Sequence, residues 1–131
     1  MRGLLLDTHI WFWYLTGSRR LPEAMRVAIE DSWQLLWLSS ISIWELAKLV
    51  EKGRIRVDGE ARAWIERALK SMPVHEAPLN REIALLSTEL DLEHQDPADR
   101  FIAATAVVHE LQLVTVDERL VSAQVVPTLT P

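Results

Sequence analysis

The chain has 131 residues, of which 49% are hydrophobic and 25% are charged, and its formal net charge is −5. This balance predicts one folded domain and excludes a disordered protein. The sequence has no cysteine, which excludes disulfides and thiolate metal sites and fits a reducing compartment. The acidic balance argues against a nucleic-acid binder that works by bulk attraction alone, but not against an enzyme whose acids bind divalent cations.

No apolar run approaches membrane-spanning length, and the one in MRGLLLD is too short for a signal peptide. We therefore expect a soluble, cytoplasmic protein with no membrane partner.

Apolar strands alternate with helical patterns along the whole chain. In order, we predict a strand at 3–6, helices at 9–16 and 22–31, a strand at 35–40, helices at 42–52 and 60–71, a short strand at 74–79, helices at 81–90 and 97–110, a strand at 112–116, a short helix at 117–123 and a weak strand at 125–129. Such alternation predicts a single α/β domain over residues 1–131, with a parallel sheet covered on both faces.

The stretch HQDPADRF, residues 94–101, has the pattern of a helix start. Asp96 suits the N-cap, Pro97 suits the first helical position, and Asp99 stands where a carboxylate can close a capping box. Local stability alone explains these residues.

The other acids change the interpretation. Asp7 and Asp117 each end an apolar strand, in GLLLDTH and QLVTVDER, and Glu45 lies one turn into the helix after the second strand. The carboxyl ends of parallel strands meet at one edge of the sheet, where ligands bind. We expect the helix that begins with Asp96 and Asp99 to open at the same edge.

Each acid also has a purely structural explanation. Asp7 and Asp117 could cap the helices that follow them, and Glu45 could pair with Lys48. These explanations do not account for the shared location, because crowded carboxylates repel each other strongly unless a cation lies among them. Carboxylate ligands without histidine or cysteine suit Mg²⁺ or Mn²⁺, which support phosphodiester hydrolysis.

Three segments carry a family resemblance: LLLDTHIWFW (4–13), SSISIWELAKLVEKGRI (39–55) and HQDPADRFIAATAVVHELQLVTVDERL (94–120). Their order and spacing resemble a PIN-domain ribonuclease, and more narrowly a VapC-type toxin of bacterial toxin–antitoxin systems. The resemblance implies a PIN-like three-layer sandwich with about five parallel strands, metal-dependent cleavage of RNA, a homodimer, and inhibition by a cognate antitoxin.

The resemblance also implies roles for single residues. Asp7, Glu45, Asp99 and Asp117 correspond to the acidic quartet that binds Mg²⁺ or Mn²⁺. Asp96 matches an additional acid with a supporting role. Thr8 matches a hydroxyl residue that orients a carboxylate or a metal-bound water.

Two alternatives belong to other classes. A receiver-type phosphoacceptor domain would want an acidic pair at the first strand, an aspartate after the third and a lysine after the fifth, and the sequence departs from all three. A non-catalytic module that binds an antitoxin would keep the fold but lose acids, whereas this sequence keeps the whole set.

Some residues outside the acidic set are also candidates for contacts. Lys48, Lys52, Arg54 and Arg56 form a basic strip that is either an RNA contact or a solvated helix face. Arg100 could touch phosphate or tether an acid. His9 and His94 are expected near the centre in a supporting role. Of the tryptophans, Trp33, Trp37, Trp44 and Trp64 are expected in the core, and Trp13 at a dimer or antitoxin contact.

Overall fold

The computed structural model describes residues 2–93 and 96–129. The elements in chain order are β1 (Leu4–Leu6), α1 (Thr8–Thr16), α2 (Glu23–Asp31), a 3₁₀ turn (Trp33–Leu35), β2 (Leu36–Ser39), α3 (Ser40–Glu51), α4 (Ala61–Ser71), β3 (His75–Ala77), α5 (Arg81–Glu89), α6 (Pro97–Val108), β4 (Gln112–Val114), α7 (Glu118–Val121) and β5 (Thr128–Leu129). The predicted alternation of strands and helices is confirmed. The last strand is shorter than predicted because Pro127 has no N–H for the ladder, although its carbonyl accepts a hydrogen bond from Leu113 N at 2.8 Å.

The five strands form one parallel sheet in the order β3-β2-β1-β4-β5. Leu5 at the centre of the sheet pairs with Trp37 of β2 and Leu113 of β4. The strand order reverses between β1 and β4, which is where open parallel sheets form their binding crevice. A receiver-type domain has the order 2-1-3-4-5, so the topology excludes that alternative.

Alternation of side chains along the strands creates two cores and three layers. Leu4 and Leu6 face α1 to α4, whereas Leu5 faces the helices on the other side of the sheet. The first core contains Ile10, Trp11, Met25, Ile29, Leu36, Leu38, Leu46 and Ile65, and the second contains Ile102, Ala103, Ala106, Leu113 and Leu120. The expected three-layer sandwich is therefore confirmed.

The helices have identifiable ends. Gly17 ends α1 in the left-handed conformation, with φ of 63°, and its N–H bonds back to the last turn. Ser39 starts α3, since its Oγ accepts a hydrogen bond from Ile41 N at 3.1 Å. Across the described ranges 2–93 and 96–129, no helix has the length and apolar character needed to cross a membrane.

Truncating a buried and an exposed leucine to alanine tests which residues belong to the core. Leu5 is 0% exposed between the sheet and α6, whereas Leu85 on α5 is 58% exposed. We expect Leu5→Ala to lower the free energy of unfolding by about 2–5 kcal/mol, since it removes buried methyl groups and leaves a cavity. The matched control Leu85→Ala should change it by less than about 0.5 kcal/mol. Urea denaturation measures both, and equal effects would contradict the assignment of Leu5 to the core.

Candidate metal centre

Five carboxylates line one cavity of about 490 Å³ at the carboxyl edge of the sheet. They come from four separate segments: the ends of β1 and β4, the middle of α3 and the start of α6. These acids are Asp7, Glu45, Asp96, Asp99 and Asp117. All five acids singled out in the sequence thus lie together.

The tightest group within the cavity is a trio. Glu45, Asp96 and Asp99 each offer a carboxylate oxygen, and these oxygens lie within 4.8 Å of one another. Asp7 and Asp117 line the same cavity. The resemblance implied a supporting role for Asp96, whereas the position of its carboxylate near those of Glu45 and Asp99 suits direct ligation.

The capping interpretation also holds for three of the acids. Asp7 Oδ1 accepts from Thr8 N at 2.9 Å, Asp96 Oδ1 from Ala98 N at 3.0 Å, and Asp117 Oδ1 from Arg119 N at 3.0 Å. An ionised carboxylate has about four acceptor positions, so one capping bond leaves others for a cation. Capping therefore fixes the carboxylates without consuming them.

Glu45 is held by α1. Thr8 Oγ1 donates to Glu45 Oε1 at 2.5 Å and lies 3.0 Å from Ser42 Oγ. Because the Thr8 hydroxyl has one proton, Ser42 acts as the donor in the second pair. The alternative partner Lys48 instead contacts Glu51 Oε1 at 3.3 Å. Thr8 therefore orients a carboxylate, which is one of the two roles that the resemblance implied.

Thr115 is a positioning residue that the sequence analysis missed. Its fully buried hydroxyl donates to Asp7 Oδ2 at 2.7 Å and accepts from Asp117 N at 3.1 Å. It thereby links the acids that follow β1 and β4. A hydroxyl in the otherwise apolar run QLVTV was the available signal.

Two basic side chains line the same cavity as the acids. His9 and Arg20 line it together with Trp13. The Trp13 ring lies 5.8 Å from the His9 ring and 5.8 Å from the Arg20 guanidinium carbon, a cation–π distance for Arg20. Arg20 could not be assigned to the site from the sequence because it lies in the loop after α1, whose path no local pattern determines.

Burial and mutual repulsion raise the pKa of three of the acids. Burial raises the pKa of Asp99 to about 7, with further contributions from the charges of the other four acids. Burial also raises the pKa of Glu45 and that of Asp7, although hydrogen bonds from Thr8 and Thr115 oppose the shift. That every acid affects Asp99 shows how closely the set is gathered.

Arg100 and His94 are two further candidates from the sequence. The guanidinium of Arg100 donates to the carbonyl oxygens of Ser87, Leu90 and Leu92, so it joins α6 to the end of α5. His94 lies outside the described residues.

Three of the four tryptophans that were predicted to lie in the core do pack there, and one does not. Trp33, Trp37 and Trp64 pack against the cores as expected. The core prediction for Trp44 is wrong, since this residue is 53% exposed. Its neighbour Ile43 packs against the core to which α4 contributes Ile65, whereas Trp44 belongs to neither core.

A match to a protein-family model identifies the family of this chain. The model described as PIN domain matches residues 4–125. The chain belongs to the PIN domain family. This PIN protein is 35% identical over 121 residues to Ribonuclease VapC22 of Mycobacterium tuberculosis, and the match covers 92% of the chain and 91% of that relative.

Solved structures share the fold at lower identity. The DNA-bound VapBC of Salmonella typhimurium matches with a TM-score of 0.73 at 20% identity, covering 98% of each chain. FitAcB from Neisseria gonorrhoeae matches with a TM-score of 0.69 at 24% identity, covering 98% of this chain and 97% of that chain. These likenesses confirm the PIN-like fold.

The raised pKa of Asp99 predicts a pH dependence of stability. The unfolded carboxyl ionises near 3.8 and the folded one near 7, so in metal-free protein this residue's contribution to stability falls as pH rises between those values. Asp99→Asn removes this loss. Between pH 4 and pH 8, the difference in unfolding free energy should move in favour of the variant by on the order of 2 kcal/mol, discounted for partial exposure.

Urea denaturation at each pH with EDTA measures this difference, and exposed Asp58→Asn is the control. If the unfolding free energies of Asp99→Asn and of the original protein change with pH in the same way, Asp99 ionises normally.

Proposed function

We propose that this protein is a divalent-metal-dependent endoribonuclease and the toxin of a VapBC-type toxin–antitoxin module. The observation that carries the proposal is the gathering of five carboxylates from four chain segments in one cavity. Membership of the PIN domain family and 35% identity to a curated ribonuclease support it.

The chemistry of the site fits a hard dication. Every candidate ligand is a carboxylate oxygen, and the trio of Glu45, Asp96 and Asp99 already lies within mutual reach of one ion. Oxygen-only sites of this size suit Mg²⁺ or Mn²⁺. We propose Asp7, Glu45, Asp99 and Asp117 as ligands, as the resemblance implies, and add Asp96 on its position.

A dication bound there would lower the pKa of an attacking water and offset negative charge on the phosphate. The chain's own residues would position the reactants. Thr8 holds Glu45 and Thr115 holds Asp7, so the carboxylates are fixed before substrate arrives. Arg20 and His9 border the cavity, where they can attract the substrate phosphate.

Hydrolysis then needs one proton acceptor among the acids. Water attacks phosphorus and loses a proton to a carboxylate, the bond from phosphorus to the leaving ribose oxygen breaks, and that oxygen takes up a proton from solvent water or from the protonated carboxylic acid. In the ion-free site, burial raises the pKa of Asp99 to about 7. Ion binding would lower that pKa, so the acid that keeps the highest pKa beside the ion would serve.

The proposed partners are RNA as substrate, a cognate antitoxin and a second copy of the chain. The solved structures that share the fold include a toxin–antitoxin complex from Klebsiella pneumoniae, with a TM-score of 0.68 at 23% identity. A non-catalytic antitoxin-binding module would need none of the acids, so the complete set favours the enzyme.

Asp7→Asn tests the proposed activity. Asparagine can still accept the bond from Thr8 N through its oxygen, and its amide nitrogen can donate to the Thr115 hydroxyl that donated to the aspartate, so we expect a folded protein. Loss of the negative charge should weaken ion binding and reduce the rate of RNA cleavage at least about 100-fold. Cleavage of labelled RNA with Mg²⁺ or Mn²⁺ gives the rate, and circular dichroism checks the fold.

The control is Asp58→Asn, which removes the same charge from an exposed residue. It should leave cleavage intact. Undiminished cleavage by Asp7→Asn would refute the assignment of Asp7.

A further inference from the structure

A second groove adjoins the carboxylate cavity. It has a volume of about 280 Å³ and is lined by Trp44, Leu49, Lys48, Lys52 and Arg54, together with Glu45 and Asp96. We call it the Trp44 groove. Because Glu45 and Asp96 also line the carboxylate cavity, a chain-like ligand can occupy both spaces at once.

The exposed position of Trp44 does not stabilise the fold. It is 53% exposed, whereas burying a large apolar side chain stabilises a fold by about 1.5–3 kcal/mol. Single exposed hydrophobic residues are common, so exposure alone is not informative. The position is informative, because Trp44 precedes the proposed ligand Glu45 and its ring borders the same groove as three cations.

The cations are only partly explained by the fold. Lys48 pairs with Glu51 on the surface, and no ion pair of Lys52 or Arg54 is found within residues 2–93 and 96–129. The helix dipole favours lysines at the end of α3. It does not account for Arg54, which lies beyond the helix, or for an aromatic ring among the charges.

We propose that the Trp44 groove binds single-stranded RNA beside the site of cleavage. One unpaired base stacks on Trp44, and Lys48, Lys52 and Arg54 contact backbone phosphates. Base stacking on an aromatic ring needs a free base face, which a duplex does not offer. This inference rests on the proposed function and adds to it a binding groove beside the carboxylates and the residue on which a base stacks.

Charge favours RNA over a protein segment in this groove. A basic peptide would meet three cations, and an acidic peptide would meet Glu45 and Asp96, which line the groove as well as the carboxylate cavity. RNA is attracted at both ends if its phosphates lie along the cations and the phosphate to be cleaved faces an ion held by the carboxylates. An exposed aromatic ring between these regions then faces the bases.

Fluorescence anisotropy with a labelled RNA of mixed sequence tests the stacking. The full chain carrying Asp7→Asn is used, so that binding is measured without cleavage. Adding Trp44→Leu should weaken single-strand binding by about 5-fold to 100-fold, and Trp44→Phe should weaken it less. The same RNA as a duplex should bind more weakly and respond little to Trp44→Leu. Circular dichroism checks that each variant is folded.

The salt dependence of the same affinity tests the cations. Each phosphate contact on a single strand contributes a slope of about −0.7 in log K against log salt. The double variant Lys52→Ala with Arg54→Ala should therefore reduce the slope by about 1.4 in magnitude. Arg67→Ala with Lys70→Ala, exposed on α4 and of the same composition, is the control and should leave the slope unchanged.

An unchanged affinity for Trp44→Leu, or equal binding of duplex and single strand, would overturn the proposal and leave the groove to a protein partner. If Asp7→Asn abolishes cleavage but Trp44→Leu has no effect on binding, the proposal for the Trp44 groove is wrong and the nuclease assignment stands. If the original protein cleaves no RNA yet single-strand binding depends on Trp44, the groove stands and the nuclease assignment fails.

Discussion

Mutual repulsion among five carboxylates constrains the edge of the sheet at which this protein is proposed to act. Folding brings Asp7, Glu45, Asp96, Asp99 and Asp117 into one cavity, where burial and neighbouring charges raise the pKa of Asp99 to about 7. Such an arrangement costs stability unless protons or a cation neutralise it. Proteins keep costly clusters of this kind mostly at functional sites. This repulsion is therefore the strongest physical argument for the proposed divalent ion.

The same acids also serve the fold, which explains how the cluster can form at all. Asp7, Asp96 and Asp117 each cap a helix through one oxygen, and a cap contributes about 1 kcal/mol. Hydroxyls of Thr8 and Thr115 hold two of the carboxylates from the side. A structural role is thus combined with the proposed chemical role in single residues, so local stability partly offsets the repulsion.

The fold and the acidic set could be predicted from sequence because both depend on local patterns. Asp7 and Asp117 follow apolar strands, and parallel strands bring their ends together. Thr115, Arg20 and Trp44 could not be assigned in the same way. Arg20 lies in a loop, and Trp44 is hydrophobic, so the default expectation buries it. Only the packing of α3 against α4 shows that the Trp44 ring remains outside.

Anomalous diffraction from crystals soaked in Mn²⁺ tests the central claim most directly, because it locates the ion without relying on activity. An ion bound among the acids should give a peak within about 2.0–2.3 Å of oxygens from Glu45 and Asp99, with Asp96, Asp7 or Asp117 completing the site directly or through water. A fully soaked crystal with no peak in this cavity, or with Mn²⁺ bound only elsewhere, would contradict the account.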